Sequence, residues 1–229
     1  MGIFDPKKEP AVPHKVAAYS SILGSLVGVG AAVAAFTWPN PGTASFGLYV
    51  ASSSVFHLSE FYVTAKYNPR DLTLSSFLLT NGIEYAAAQA AAITEAAVTL
   101  FLGNPSYASS WAKIGLVMVI AGQYLRTKAM IQAAQSFSHL VASEKKSDHT
   151  LVTSGLYSWF RHPSYLGYFL WAVGTQVMMC NRICTVLFTA TLWTFFRQRI
   201  NHEERLLVEF FGDDYVNYKK SVWSGIPFC

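Results

Sequence analysis

The stretch Lys15–Thr43, KVAAYSSILGSLVGVGAAVAAFTWPNPGT, decides the fold. From Val16 to Phe36 it is apolar or small and carries no charge. A helix rises about 1.5 Å per residue, so a run of roughly 20 such residues matches a hydrocarbon layer of about 30 Å. The run stops at TWPNPGT (37–43), where proline and glycine end a helix and make a short turn. Apolar sequence then resumes, and no Asp, Glu, Lys or Arg occurs between Lys15 and Glu60. Two membrane spans fit there, 16–36 and 44–65.

The same pattern continues along the 229 residues, of which 52% are hydrophobic and only 13% charged. A soluble domain carries about 25% charged residues, so half that fraction predicts an integral membrane protein. A third span fits 74–101, alanine-rich and carrying Glu84 and Glu95, and a fourth fits 111–130. Two more, 163–180 and 183–198, flank the CNRI turn, and the tail from Gln198 to Lys220 is amphipathic. The predicted fold class is therefore all-α: a polytopic helical bundle of about six transmembrane helices with a cytosol-facing C-terminal region. Residues 1–131 hold four spans, and 132–229 hold a polar segment, a helical hairpin and the tail. AAAQAAA at 86–92 reads as a close-packing helix face, because small residues let membrane helices approach.

The loops at 37–43 and 103–110 have no charge, whereas the N-terminus, 66–71, 132–161 and the tail carry nearly all the Lys and Arg. Arg182 is the exception. By the positive-inside rule both termini face the cytosol. Lys7, Lys8 and Lys15 precede the first apolar run, with no small-residue cleavage site after it, which reads as a signal anchor. The net charge of +4 includes no basic run dense enough for nucleic acid. Three cysteines (Cys180, Cys184, Cys229) do not make a disulfide framework.

Charges within spans cost about 2.5–3.5 kcal/mol at a helix centre, so Glu84 and Glu95 each need a polar helix contact or a wet position. The ionisable residues are denser in the C-terminal half, and TSGLYSWFRHPSYLGYFLW (153–171) places Arg161 and His162 at the mouth of a span. A metal site is disfavoured, because there is no HxxxH pair and no HExxH, and His202-Glu203 point to different sides of a helix. A serine hydrolase lacks its GxSxG elbow, and no Gly-rich phosphate loop is present. An ionic pocket for a polar ligand at the membrane face remains. Arg199 and Glu203 share a helix face there, and a plain i,i+4 salt bridge is the competing reading.

HTLVTSGLYSWFRHPSYLGYFLW (149–171), followed by FFRQRINHEERLLVEFFGDDYVNYKKSV (195–222), resembles the isoprenylcysteine carboxyl methyltransferase family. The likeness is close from about Phe137 onward and extends to the ending SGIPF. RHPxYxG by itself also occurs in membrane phospholipid methyltransferases and, as a variant, in NADPH-dependent sterol-type reductases. Both stay open as alternatives, as does a non-enzymatic lipid-binding scaffold. The pattern departs at Ala142, where relatives can carry Gln, and at Asn201-His202, often an acidic pair.

The resemblance implies methyl transfer from S-adenosylmethionine to the C-terminal carboxylate of a prenylated cysteine in processed CaaX proteins such as small GTPases. The methyl ester and S-adenosylhomocysteine are the products, no metal is needed, and the setting is the endoplasmic reticulum membrane. It assigns His149, Thr150, Leu151, Val152, Tyr157, His162, Pro163, Ser164, Tyr165 and Glu203 to the cofactor site. It assigns Arg199 to the substrate carboxylate, and makes Arg199 and Glu203 the residues nearest the chemistry. An arginine fork suits that role, since a guanidinium can hold a carboxylate with two parallel hydrogen bonds. Arg161 has no assigned role.

Overall fold

A computed structural model describes residues 9–38, 40–79, 82–103, 108–141, 144 and 149–229. The described regular structure is helical: α1 (Pro13–Phe36), α2 (Pro41–Tyr67), α3 (Ile83–Phe101), α4 (Ala108–Ala133), α5 (Pro163–Met178), α6 (Arg182–Phe211) and α7 (Asp213–Ser221). Proline opens α1, α2 and α5, at positions where its missing N–H has no intrahelical partner to lose. Asn40 caps α2 by accepting from Gly42 N at 3.1 Å and Thr43 N at 3.3 Å.

α6 is capped from another helix. Glu95 of α3 accepts from Ile183 N (2.8 Å) and Cys184 N (2.7 Å). Its carboxylate meets the exposed N–H groups and positive dipole of a helix start. Asn181 adds a second tie to α3, donating to the Ala92 carbonyl at 2.9 Å. Glu95 is thus a polar helix–helix contact. Glu84 lies exposed in the first turn of α3, where a carboxylate also suits the dipole.

The closest packing joins α4 to α5. Gly122 faces Gly167 O and the Trp171 backbone, and Gly115 faces Gly174 and Met178. These contacts run in opposite chain order, so the helices are antiparallel. Without hydrophobic drive between lipid-bathed helices, small residues let backbones meet and van der Waals contact holds them. α1 and α2 repeat the device, with Gly30 against Gly47 and Ala51. Phe56 of α2 stacks on Trp171 of α5 at 4.3 Å, which brings the two pairs together. The outer face is apolar: Ile22, Val29, Val117, Ile120, Val186 and Leu187 are all more than half exposed. An apolar exterior of this extent fits a bilayer better than water. Pro13–Phe36 and Ser109–Ser136 are long and apolar enough to cross a membrane.

Three local expectations change. The third helix starts at Ile83, not near 74, because 74–77 form a 3-10 turn that buries Leu74 and Phe77, and Leu78 then adopts a left-handed conformation. AAAQAAA is not a packed face: Ala86, Ala87, Ala90 and Ala91 are exposed, and Ala92 alone of its alanines is buried. α6 does not end near 198. It runs 30 residues, about 45 Å at the usual rise, so its C-terminal third extends past an apolar segment of 183–198.

Gly122→Ala forces a methyl into the backbone of α5, whereas the same methyl at Gly24 of α1 meets nothing within 4 Å. The first substitution is expected to lower the unfolding midpoint of the detergent-solubilised protein by about 1–3 kcal/mol of destabilisation. Gly24→Ala is expected to leave that midpoint in place.

Candidate functional site

The N-terminal end of α5 is held by residues 222–227. Arg161 N donates to Trp223 O at 2.7 Å and His162 N to Ser224 O at 3.0 Å, so 223–226 lie alongside 160–162. Ser224 and Ile226 are fully buried, and Trp193 Nε1 of α6 donates to Pro227 O at 2.9 Å. The tail thereby ties the start of α5 to the middle of α6.

Side-chain ions reinforce this clasp. Glu204 of α6, 4% exposed, accepts from Arg161 Nε (2.7 Å) and His162 Nε2 (3.2 Å) and pairs with Lys219 Nζ (2.5 Å). Arg161 Nη1 also donates to the Val222 carbonyl. Burial acts to raise the Glu204 carboxyl, but hydrogen bonds from His162, Lys219 and Arg161 outweigh it and hold the group well below the usual carboxylate range. Arg161 fastens the start of α5 to α6 and α7, and it also lines the cavity behind them.

Behind the clasp lies a cavity of about 140 Å³. A single water needs about 10–15 Å³ by the same kind of measure, so the space is ligand-sized. The segment 149–152 forms one wall, Tyr157, His162, Ser164 and Tyr165 another, and Glu203 with Leu206, Phe210 and Tyr215 a third. Gly155 makes the turn between the first two walls. Its φ is +64°, and a Cβ there would overlap the Gln132 amide, whose Oε1 accepts from Leu156 N at 2.9 Å.

Nine of the sequence-predicted residues therefore share one cavity: His149, Thr150, Leu151, Val152, Tyr157, His162, Ser164, Tyr165 and Glu203. Pro163 sits behind the wall and starts α5. Ala142 lies outside the described residues. Arg199 is one hydroxyl away: its Nε donates to Tyr165 Oη at 2.8 Å, and Tyr165 Oη donates to Glu203 Oε2 at 2.5 Å. Arg199 and Glu203 are thus bridged by Tyr165, not joined as a plain i,i+4 pair. Arg199 Nη2 donates to the His139 carbonyl at 2.6 Å, and Nη1 donates to no group among the described residues. The Tyr165 ring stacks with both His162 (5.4 Å) and Phe196 (5.0 Å), which fixes its position in the cavity wall.

The cavity fits a polar, partly cationic cofactor. Glu203 offers a carboxylate, and His149 and His162 offer ring nitrogens. Tyr215 closes the cavity beside Glu204, and its buried hydroxyl lies within the influence of that carboxylate. Burial raises the Tyr215 phenol, as it does Tyr157, and pushes Tyr218 up to about 12, so all three stay neutral near pH 7. Among the described residues, no group of three or more His, Cys, Asp or Glu side chains comes together as a metal site.

Two buried residues beside the cavity were not singled out from the sequence. Glu60 of α2 (1% exposed) and Arg126 of α4 (6%) form a bidentate pair at 2.7 and 2.9 Å. The available signal was a lone acid, Glu60, in the second span and three bases, Lys113, Arg126 and Lys128, in a fourth span that carries no acid.

The family model described as "Isoprenylcysteine carboxyl methyltransferase (ICMT) family" matches residues 113–209. The chain is 43% identical over 216 residues to the human Protein-S-isoprenylcysteine O-methyltransferase, covering 94% of this chain and 75% of that protein. Against the Saccharomyces cerevisiae protein of the same name it is 45% identical over 222 residues, covering 94% and 91%. A solved structure described as the eukaryotic intramembrane Ras methyltransferase superposes with a TM-score of 0.88 at 36% identity, over 93% of this chain and 76% of that one. The fold is that of a membrane-embedded methyltransferase. The chain belongs to the isoprenylcysteine carboxyl methyltransferase family.

The Glu204 clasp makes stability depend on pH with a definite sign. A carboxyl lowered in the folded state stabilises fully above its ordinary value of 4.5 and loses that contribution as pH falls through its folded value. Thermal midpoints measured from pH 6 down to about pH 3 are expected to fall less steeply in Glu204→Gln than in the unaltered protein, from a lower starting value.

Proposed function

We propose that this chain transfers the methyl group of S-adenosylmethionine to the C-terminal carboxylate of a prenylated cysteine in processed CaaX proteins. The observation that carries the reading is the convergence of 149–152, His162, Ser164, Tyr165 and Glu203 on one cavity, with the Arg199 fork one hydroxyl away. The human and yeast relatives are named for the same reaction class.

Bound in the cavity, the cofactor supplies a methyl group already activated on a sulfonium. The protein has little acid–base work to do, because an α-carboxyl with a pKa of about 3.5 is ionised at neutral pH. Its task is alignment and removal of water, and orientation contributes roughly 7–11 kcal/mol when the geometry is good. Arg199 Nη1 is the donor left to receive the carboxylate, while Nε and Nη2 are fixed by Tyr165 and His139. Glu203, held by the Tyr165 hydroxyl, faces the cavity and takes a cationic or donor group of the cofactor. Methylation neutralises the carboxylate, so Arg199 orients the ground state without gaining from the product's charge.

In this reading α1 to α6 all cross the endoplasmic reticulum membrane and both termini face the cytosol. Residues 1–131 form the scaffold and 132–229 carry the chemistry. The charge-poor loops at 37–43 and 103–110 and the apolar exterior support that orientation. The prenyl chain partitions into the bilayer, and the polar cofactor arrives from the cytosol.

Membranes bearing the protein, given labelled S-adenosylmethionine and a farnesylcysteine analogue, are expected to place base-labile label on the analogue. No label together with NADPH consumption on a sterol would replace this reading with the reductase, and label on phospholipid would replace it with the phospholipid enzyme. Arg199→Lys is expected to lose most turnover while cofactor affinity holds. Glu203→Ala is expected to weaken cofactor binding by about tenfold or more, as loss of a charged hydrogen bond does. Calorimetry with S-adenosylhomocysteine separates the two effects, and a comparable affinity loss in Arg199→Lys would remove Arg199 from the substrate side.

A further inference from the structure

The Glu60–Arg126 pair is buried between α2 and α4, and its remaining hydrogen-bonding capacity is used on the two sides of the candidate site. Arg126 Nη1 donates to Ser164 Oγ at 2.5 Å, and Ser164 lines the cavity. His139 Nε2 donates to Glu60 Oε2 at 2.8 Å, and the carbonyl of the same His139 accepts from Arg199 Nη2 at 2.6 Å. The segment around His139 has no regular secondary structure. It is pinned by this contact, by Asn68 Nδ2 donating to Phe137 O at 2.8 Å, and by the Arg126 guanidinium lying 5.3 Å from the Phe137 ring centroid.

Stability alone does not account for the pair. Desolvating two charges costs several kcal/mol per ion, and well-packed apolar replacements for a buried ion pair are often as stable or more so. The bidentate geometry does something an apolar pair cannot: it gives Arg126 a fixed plane, with Nη1 aimed at Ser164, and it fixes Glu60 Oε2, which accepts from both Arg126 Nη2 and His139 Nε2.

We propose that Glu60 and Arg126 are positioning residues for methyl transfer, setting the distance and angle between the cofactor wall at Ser164 and the carboxylate clamp at Arg199. The proposal rests on the methyltransferase reading and deepens it. In-line displacement needs the attacking oxygen, the methyl carbon and the sulfur aligned, and a misplacement of about 1 Å can cost 10²-fold. One ionic cluster touching both walls fixes that alignment from behind, without contact to either ligand.

The test uses the full chain in lipid nanodiscs, with S-adenosylmethionine and N-acetyl-S-farnesylcysteine. The double variant Glu60→Gln/Arg126→Met removes both charges with little change in volume, so no unpaired ion is left. It is expected to keep its thermal midpoint and its S-adenosylhomocysteine affinity within about threefold, while kcat falls roughly 10- to 100-fold. Arg126→Lys retains the charge but cannot hold Glu60 bidentately and reach Ser164 together, and the same fall in kcat with little change in KM is expected. A folded double variant with unaltered kcat overturns the positioning role. Should the double variant fail to fold, unaltered kcat in Arg126→Lys overturns it instead. No methyl transfer by the unaltered protein would overturn the functional reading and this proposal with it, whereas variant turnover equal to the unaltered protein's removes the positioning role alone.

Discussion

The Tyr165 hydroxyl is the point on which the site depends. It accepts from Arg199 Nε and donates to Glu203 Oε2, and so it joins a cation and an anion that lie one turn apart on α6. The ring's own position is set by stacking with His162 and Phe196. A hydroxyl has one donor and two acceptor positions, and here both kinds are used. The arrangement holds Arg199 and Glu203 through one hydroxyl instead of in a direct ion pair. In the proposed reaction Arg199 would offer Nη1 to the carboxylate, and Glu203 would offer its cavity-facing side to the cofactor.

Support for that hydroxyl comes from two ionic clusters on either side of α5. Glu204 gathers Arg161, His162 and Lys219, locking the helix start to α6, α7 and the tail. Glu60 gathers Arg126 and His139, locking the other flank to α2 and α4. Each charge is met by a partner from a distant segment. Ionic hydrogen bonds gain strength in such surroundings, and an unmet one is costly. The glycine contacts of α4 and α5 hold the two clusters at a fixed spacing.

Much of the fold was legible because its signals are local. Proline at positions 13, 41 and 163 marks helix starts, and the uncharged runs give the helices between them. The cavity residues were legible through resemblance, since the HTLV and RHPSY stretches fall on walls of the same cavity. Apolarity cannot tell a helix from a buried turn, which is why the third helix was expected to begin before Leu78 turned the chain. Small residues permit close packing without requiring it, so the exposed alanines of α3 misled where the glycines of α4 and α5 did not. The Glu60–Arg126 pair joins residues 66 apart, and neither has a partner within its own helix to announce it.

The central claim is that one hydroxyl orders both ligand-binding side chains. Tyr165→Phe removes that hydroxyl and keeps a ring able to stack on His162 and Phe196. Measuring S-adenosylhomocysteine affinity by calorimetry, and KM for a farnesylcysteine substrate, on the folded variant tests the claim directly. The account predicts that both weaken together, because Arg199 and Glu203 lose the same anchor. Unaltered values for either ligand would contradict it.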